Sequence, residues 1–334
     1  MYKQTICLIR RRDQLLLLNR NRAPWMGMWM GPGGKMEPGE SPRMCALREV
    51  REETGIALDD VRFAGLVTWD VEGGRSGGMY AFVADVQADF GYPSPRASSE
   101  GLLDWKKIDW VLNPKNLGVA RHLPRFAPAM LEGAELYRHH FIWPAVGPME
   151  YEWRPLPGVA FRPLDMDDVA LLHRWVNDPA LIDIWNQGKE QSLEAVEAKY
   201  GPYIRGEKPT QPYIIMHGGV PIGYIQTYLW RDYPDYAAHL GAEEESASLD
   251  VMIGEAEYRN RGLGRDILRA FLRGVVFSRP QVASCIITPE ESNRRALRAY
   301  EKAGFKLWKV IDHPDEPSPV ALMRITRDEL FGGT

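Results

Sequence analysis

A chain of 334 residues favours two domains over one, since single domains of about 100–200 residues are typical. Its 45% hydrophobic and 26% charged residues suffice for two buried cores, and a net charge of −4 without a basic tail or lysine run argues against a nucleic-acid partner. Three cysteines, far apart and in no CxxC pair, argue against a disulfide framework or a zinc site, and no apolar run reaches signal-peptide or membrane-spanning length. The expectation is a soluble, cytoplasmic protein with no membrane partner.

In chain order, "TICLI" and "LLLLN" read as short strands separated by the charged turn "RRRDQ". A glycine-rich turn, "GPGGK", then runs into a helix that starts at Ser41-Pro42 and stops at Gly55: serine suits the N-cap, proline the first helical position and glycine the left-handed C-terminal position. "AGLVTWDV" and "MYAFVADV" read as strands joined through "EGGRSGG", "DWKKIDW" opens a mixed segment, and "AMLEGAELYRHHF" reads as a closing helix.

On the first helix, Ala46, Leu47 and Val50 can face a core, while Glu49, Glu52 and Glu53 fall within an arc of roughly 100° on the other side. Arg48 stands four residues before Glu52 and can pair with it. Three carboxylates so close repel unless a cation joins them, and hard oxygen ligands without histidine or cysteine suit Mg²⁺ or Mn²⁺. Gly33 and Gly34 let the backbone come close to such an ion and to bound phosphates.

The spacing from Gly34 through Glu40, Arg48, Glu49, Glu52 and Glu53 to Gly55-Ile56 resembles the Nudix box at every fixed position. For residues 1–140 the resemblance implies an αβα sandwich that cleaves a nucleoside diphosphate linked to another moiety. It implies Glu49, Glu52, Glu53 and the Gly33 carbonyl as metal ligands, with one of the glutamates or a later loop glutamate as base. Glu40 and Arg48 would hold helix and loop together, and Glu100, in "SSEGLLDW", stands where MutT-type members often carry an extra catalytic glutamate. "NRAPWMGMWMGPGGK" resembles the segment before the box in MutT-type 8-oxo-dGTP diphosphatases, although Met30 lies where the mammalian-type enzymes carry a base-reading asparagine. The implied substrate is a nucleoside triphosphate of an oxidised or ordinary purine, or a related diphosphate-linked nucleotide; Trp25 and Trp29 could stack on its base or belong to the core.

Residues 141–157, "FIWPAVGPMEYEWRPLP", are rich in proline and aromatics without a period and read as a packed connector. "VAFRPLDMDDVALLHRWV" then restarts a strand–turn–helix pattern, opening a second domain over 158–334. No internal repeat links the halves.

In "ASLDVMIGEAEYRNRGLGRDILRAFL", Leu249, Val251 and Ile253 alternate as in a strand, and the turn from Arg259 to Gly264 leads into the apolar period of Ile267, Leu268, Phe271 and Leu272. Glycines at a helix N-terminus expose amides that bind a pyrophosphate. "SNRRALRAYEKAGF" adds Asn293, Ala296, Tyr300 and Gly304-Phe305. In this order and separation the two elements resemble those of GNAT acetyltransferases, which implies a mixed sheet splayed around acetyl-CoA. By that resemblance the amides of Arg261, Gly262, Gly264 and Arg265 hold the CoA pyrophosphate, Asn293 bonds the pantetheine arm, and Tyr300 protonates the departing thiolate. The whole chain is then of α/β (α+β) class, a Nudix αβα sandwich followed by a GNAT mixed-sheet domain.

"QPYIIMHGGVPIGYIQTY" and "LRAYEKAGF" are, more narrowly, similar to aminoglycoside 6'-N-acetyltransferases. That likeness implies Asp250 as the carboxylate that deprotonates the amine, Asp235 as one that holds a polycationic sugar, and Trp185 as a substrate-side tryptophan. An amine must lose its proton before it attacks a thioester, and the acidic "GAEEESASLD" would draw in cations. Thr288 departs from the pattern where those enzymes usually carry a drug-contacting aspartate, and Ala237 and Ala238 replace aromatic residues. Related GNAT domains acetylate biosynthetic hydroxylamines or protein N-termini, so the acceptor stays open. The other open reading makes the Nudix fold a nucleotide sensor, against which the intact Glu49, Glu52 and Glu53 speak. The expected partners are a nucleotide and a small cationic amine; monomer and homodimer both remain open.

Overall fold

The computed structural model describes residues 2–243, 245–312, 314, 316 and 318–332. Glu244 of the acidic stretch and residues 313, 315, 317, 333 and 334 of the second expected domain lie outside the described residues. The chain divides into two compact units, Met1–Pro157 with Gly218–Val220, and Gly158–His217 with Pro221–Thr334. No helix among the described residues is long and apolar enough to cross a membrane.

The first unit contains, in order, β1 (Thr5–Arg11), β2 (Gln14–Arg20), β3 (Trp29–Met30), α1 (Pro42–Thr54), β4 (Arg62–Val71), β5 (Gly77–Asp85), β6 (Arg96–Ser98), β7 (Gly101–Lys107), α2 (Ile108–Leu112), α3 (Leu123–Glu132), β8 (Tyr137–Trp143) and β9 (Glu150–Pro155). Its sheet runs β6-β7-β2-β1-β5-β4-β8-β9, with β3 added to β2. The pairs β1/β5 and β4/β8 are parallel, so the sheet is mixed. Alternation along β1 divides its side chains between two helical layers. Ile6 and Leu8 join Leu15, Leu17, Val67 and Val83 in a core closed by Phe126 and Met130 of α3. Thr5, on the opposite face, meets Cys45 of α1 at 3.3 Å. The result is an αβα sandwich.

Local chemistry sets the ends of α1. Ser41 Oγ accepts from the Met44 N–H at 3.2 Å, Pro42 opens the helix, and Gly55, at φ 77°, donates its N–H back to the Arg51 carbonyl. Cys45, Ala46 and Val50 are buried, whereas Leu47 is only half-buried.

Two expectations for this unit are corrected. The helix read across residues 129–141 stops at Glu132, because Gly133 takes the left-handed conformation (φ 68°) and donates to the Ala129 carbonyl. Beyond it Tyr137–Trp143 is a strand, with His139 and Phe141 buried on one face. The stretch read as a connector carries β9, paired antiparallel with β8 from Tyr137↔Pro155 to Ile142↔Glu150. Its aromatic residues extend the sheet.

The second unit contains β10 (Val159–Pro163), α4 (Val169–Val176), α5 (Ile182–Asn186), α6 (Leu193–Ile204), β11 (Gln211–His217), β12 (Val220–Leu229), α7 (Pro234–Leu240), β13 (Ala247–Ile253), α8 (Leu263–Phe271), β14 (Ser284–Ile287), α9 (Arg294–Ala303), β15 (Lys306–Ile311), β16 (Val320–Thr326) and α10 (Arg327–Phe331). Its strands follow the order β10-β11-β12-β13-β14-β16-β15. The antiparallel pair β12/β13 is continuous from Gly223↔Ile253 to Leu229↔Ala247. The parallel pair β13/β14 meets only at Ala247↔Cys285, and beyond that rung the two strands part. This is the splay that the sequence implied.

His122 and His139 of the first unit are buried, and burial drives both down to about 4. The unfolded chain takes up these protons near about 6.5, so between those limits the unfolded state holds more protons and stability rises with pH. Acidification from pH 7 to 4.5 is expected to remove on the order of a few kcal/mol from this unit. Urea denaturation of the whole chain at both pH values checks this; His122→Phe keeps a ring in place and should flatten the dependence.

Candidate active sites

In the first unit, residues 31–35 lie along β1, with the Thr5 N–H donating to the Gly34 carbonyl at 2.9 Å and the Cys7 N–H to the Pro32 carbonyl at 2.8 Å. A Cβ on Gly33 would lie 2.2 Å from the Thr5 carbonyl oxygen, and one on Gly34 would lie 2.4 Å from the Glu49 carboxylate. Glycine is what lets this loop lie flat between β1 and the acidic face of α1. The Gly33 N–H donates to Glu53 Oε2 at 2.9 Å.

Arg48 ties the helix to the loop. Its guanidinium donates to both oxygens of buried Glu40 at 2.9 Å, to Glu49 Oε1 at 2.9 Å, to Glu52 Oε2 at 3.1 Å and to the Lys35 carbonyl at 2.9 Å. Glu40 in turn accepts from the Glu37 N–H. Partial burial raises Glu49 above the usual carboxylate range, against the pull of Arg48. Burial pushes Glu53 up to about 7, the Gly33 N–H opposing and Glu49 adding to the rise; the charges of Arg20 and Glu100 are also felt there. Glu100, in the turn between β6 and β7, pairs with Arg22 at 3.2 Å.

Thus Glu49, Glu53, Gly33 and Glu100 come to one region, while Glu52 is more exposed and turned towards Arg48. Among the described residues no group of three carboxylates, histidines or cysteines is placed to close on one metal ion. The donor chemistry nonetheless fits a hard divalent cation: oxygen donors only, crowded, partly dry and mutually repelling. Trp25 packs on His122 and Trp143 at ring separations of 4.9 and 5.6 Å, and the Lys106 ammonium lies over Trp29 at 4.2 Å.

In the second unit, the parting of β13 from β14 opens a cleft of about 760 Å³. Asp250, Trp185, Asn293 and Tyr300, all singled out in the sequence, line it together. Asp250 Oδ2 accepts from Gln226 Nε2 at 2.6 Å, and Gln226 Oε1 accepts from the Tyr224 hydroxyl at 2.6 Å. Burial raises Asp250 above its ordinary value, with Gln226 and Lys199 opposing. Burial likewise drives Tyr300 far above the usual phenol range, keeping it protonated. Asn293 Oδ1 caps α9 by accepting from the Ala296 N–H at 3.0 Å. Trp185 Nε1 donates to the Tyr200 hydroxyl at 2.9 Å.

Two acidic features of the sequence fall outside this lining. Asp235 is exposed in the first turn of α7 and is not among the residues lining the cleft; its neighbours Tyr233 and Tyr236 are. Of the acidic stretch before β13, Glu243 faces Arg324 and Glu245 faces Arg231. The cleft's acidity comes instead from Asp183, Glu290 and Glu316 beside Asp250, with Lys199 as a cation among them. These residues stand on separate elements, so no local motif marks them.

Arg261, Gly262, Gly264 and Arg265 lie outside that lining, at the start of α8. Arg259 anchors the turn through Asp178, at 2.9 and 3.0 Å, and the Ile253 carbonyl. Asn260 and Gly262 take the left-handed conformation, at φ 60° and 78°, and no side chain among the described residues caps α8. A Cβ on Gly264 would touch only Ala299 Cβ, at an ordinary 3.6 Å, and one on Gly262 would meet nothing. The protein itself leaves this corner open.

The family model described as "NUDIX domain" matches residues 2–126, and that described as "Acetyltransferase (GNAT) domain" matches residues 165–313. An aminoglycoside N(6')-acetyltransferase type 1 of Klebsiella pneumoniae is 32% identical over 162 residues, which is 48% of this chain and 80% of that one. An uncharacterized Nudix hydrolase of Bacillus subtilis, YvcI, is 35% identical over 117 residues, 34% of this chain and 70% of that one. A solved structure of AAC(6')-Ib with paromomycin and acetyl-CoA is 31% identical, with a TM-score of 0.48, covering 52% of this chain and 96% of its own.

The two glycine pairs predict opposite responses. Gly33→Ala drives a Cβ into the backbone of β1 and should cost roughly 1–3 kcal/mol or more. Gly264→Ala should leave the melting temperature unchanged. Thermal unfolding of the two variants beside the parent measures both.

Proposed function

This chain belongs to the Nudix hydrolase and GNAT acetyltransferase families, one domain of each, and from that premise we propose a cytoplasmic bifunctional enzyme. The first domain hydrolyses a purine nucleoside triphosphate, oxidised or ordinary, or a related diphosphate-linked nucleotide. The second transfers the acetyl group of acetyl-CoA to the nitrogen of a cationic amine. Three buried, unpaired thiols fit a reducing compartment.

In the first domain Glu49, Glu52, Glu53 and the Gly33 carbonyl would hold Mg²⁺ or Mn²⁺, which supplies positive charge against the phosphate oxygens. Arg48 steadies Glu49 and Glu52. Glu53, held at one oxygen by the Gly33 N–H, keeps the other to take a proton from the attacking water, a role that Glu100 could share.

The observation that carries the second activity is that Asp250 and Tyr300, from a strand and a distant helix, line the same cleft. Asp250 accepts the amine proton. The nitrogen then bonds to the acetyl carbon, the carbon–sulfur bond breaks, Tyr300 protonates the departing thiolate, and the second proton that the nitrogen sheds restores the phenol. The turn from Arg261 to Arg265 offers amides to the CoA pyrophosphate, and Asn293, its oxygen committed to the cap, keeps its NH₂ for the pantetheine arm.

For the acceptor, the carboxylates Asp183, Glu290 and Glu316 and the wall of Trp185 suit an aminoglycoside 6'-amine, as in the named relatives. Thr288 and Lys199 in the lining favour a second reading, a biosynthetic amine or hydroxylamine, or a protein N-terminus, carrying fewer ammonium groups. In that reading the Nudix domain is a nucleotide sensor.

Thiol release from acetyl-CoA, measured across kanamycin, polyamines, a hydroxylated diamine and short peptides, tests the transferase. Asp250→Asn should cut kcat/KM by roughly 10²–10⁴. Lys199→Met should lower KM for kanamycin about fivefold at low salt by removing a like charge, with the gain fading at high salt. For the first domain, Mg²⁺-dependent release of pyrophosphate from 8-oxo-dGTP or dGTP, lost in Glu53→Gln, is expected; nucleotide binding without turnover by the parent would establish the sensor instead.

A further inference from the structure

Tyr224 is buried on β12, outside the cleft lining, yet its hydroxyl ends a hydrogen-bond chain that reaches Asp250. Residues two apart on a strand share a face, so Tyr224 and Gln226 point the same way, and Gln226 stands directly opposite Asp250 on β13. We propose that Tyr224 is a positioning residue for acetyl transfer: through Gln226 it fixes the oxygen of Asp250 that receives the acceptor's proton. The proposal rests on the reading of Asp250 as that base.

Donor and acceptor logic gives the chain its direction. An ionised carboxylate only accepts, so Gln226 must present its NH₂ to Asp250 and its carbonyl oxygen the other way. That oxygen then needs a donor, and Tyr224, kept protonated by burial, supplies one. Edge contacts with Trp185 and Tyr200, at ring separations of 5.9 and 5.5 Å, hold the Tyr224 ring and so fix its hydroxyl.

Without the hydroxyl, Asp250 alone orients the Gln226 amide, and the amide oxygen loses the donor that held it on the far side. Turned over, its oxygen would face an oxygen of Asp250 at hydrogen-bond distance, an arrangement that favours the protonated carboxyl. A protonated Asp250 cannot take the amine's proton. The hydroxyl of Tyr224 therefore reinforces the amide orientation that leaves Asp250 ionised, with Oδ2 occupied and no partner for Oδ1 among the described residues.

Other groups also act on Asp250: Lys199, Tyr200 and Tyr203 of α6, Tyr228 of β12, Tyr236 of α7, Cys285 of β14, Tyr300 of α9, and Glu316 before β16. Tyr224→Phe alters none of them and keeps the buried ring.

The test uses the full chain and two readouts. Carboxyl ¹³C NMR of aspartate-labelled protein, with Asp250 assigned by Asp250→Asn, follows its titration without any acceptor. In Tyr224→Phe the titration should move up by about one unit, as expected when the Gln226 hydrogen bond to the carboxylate loses its support by about the worth of one net hydrogen bond. With acetyl-CoA and kanamycin, kcat should fall roughly tenfold, KM should stay within about twofold, and the acidic limb of the pH–rate profile should move up with the titration. Gln226→Met cuts the chain at its centre, so adding Tyr224→Phe to it should cost nothing further. An unchanged Asp250 titration in Tyr224→Phe overturns the proposal, even where Asp250→Asn is inactive and the base assignment stands. If Asp250→Asn is fully active, the base assignment fails and the catalytic role of Tyr224 with it, while the NMR titration still decides whether the hydrogen-bond chain exists.

Discussion

Carboxylates crowded into partly dry clefts repel one another, and both domains are organised around holding them against that repulsion. In the first, one guanidinium spans Glu40, Glu49 and Glu52 and reaches the loop carbonyl of Lys35. Its fork is planar and donates in several directions at once, which an ammonium could not match. The two glutamates with raised titration are those pressed against the glycine loop, where water is scarce. Among the described residues of the second domain no arginine performs this task for Asp250. A neutral amide holds one of its oxygens, and the nearby ammonium of Lys199 offsets part of the cost of burial. Both arrangements keep acidic groups at fixed places.

Geometry explains where each cleft can form. Helices cover both faces of the first sheet, so its reactive groups gather where the glycine loop crosses in front of α1. The second sheet opens within itself. A parallel pair with one rung leaves strand backbone unpaired in the middle of a sheet, a position usually closed by the next strand. Here the space lies between Asp250 on one side and the segment after β14 on the other, so the sheet's defect is also its site.

The sequence carried most of this where function and local structure coincide. The acidic helix announces itself through Ser41, Pro42 and Gly55 as well as through its glutamates, since caps are local chemistry. The splayed sheet was implied by the resemblance of two glycine-bearing elements, in their order and separation, to those of GNAT acetyltransferases. The errors fell where the signals were not local. Tyr137–Trp143 passed for the end of a helix because Gly133 was read through rather than as a stop, and the alternation of His139 and Phe141 was drowned by flanking aromatics. β9 is an edge strand with little burial, so its pattern carries no period. Asp235 followed a resemblance onto α7, where Ala237 and Ala238 replace that family's aromatic residues, whereas the cleft lining carries Asp183, Glu290 and Glu316. Gln226 and Tyr224 look like ordinary strand residues until Asp250 is seen across from them.

The glycines of the two sites differ in what enforces them. Gly33 answers to the chain's own backbone, so any lineage that keeps this fold must keep it, active or not. Gly264 has no such guardian inside the protein, where an added Cβ would meet only Ala299 at an ordinary contact distance. In a lineage that ceased to use its acyl donor, Gly264 would be among the first positions to drift, while Gly33 would persist for as long as the domain folds. Under the proposed function an intact Gly264 would record recent use of that donor, and an intact Gly33 only descent.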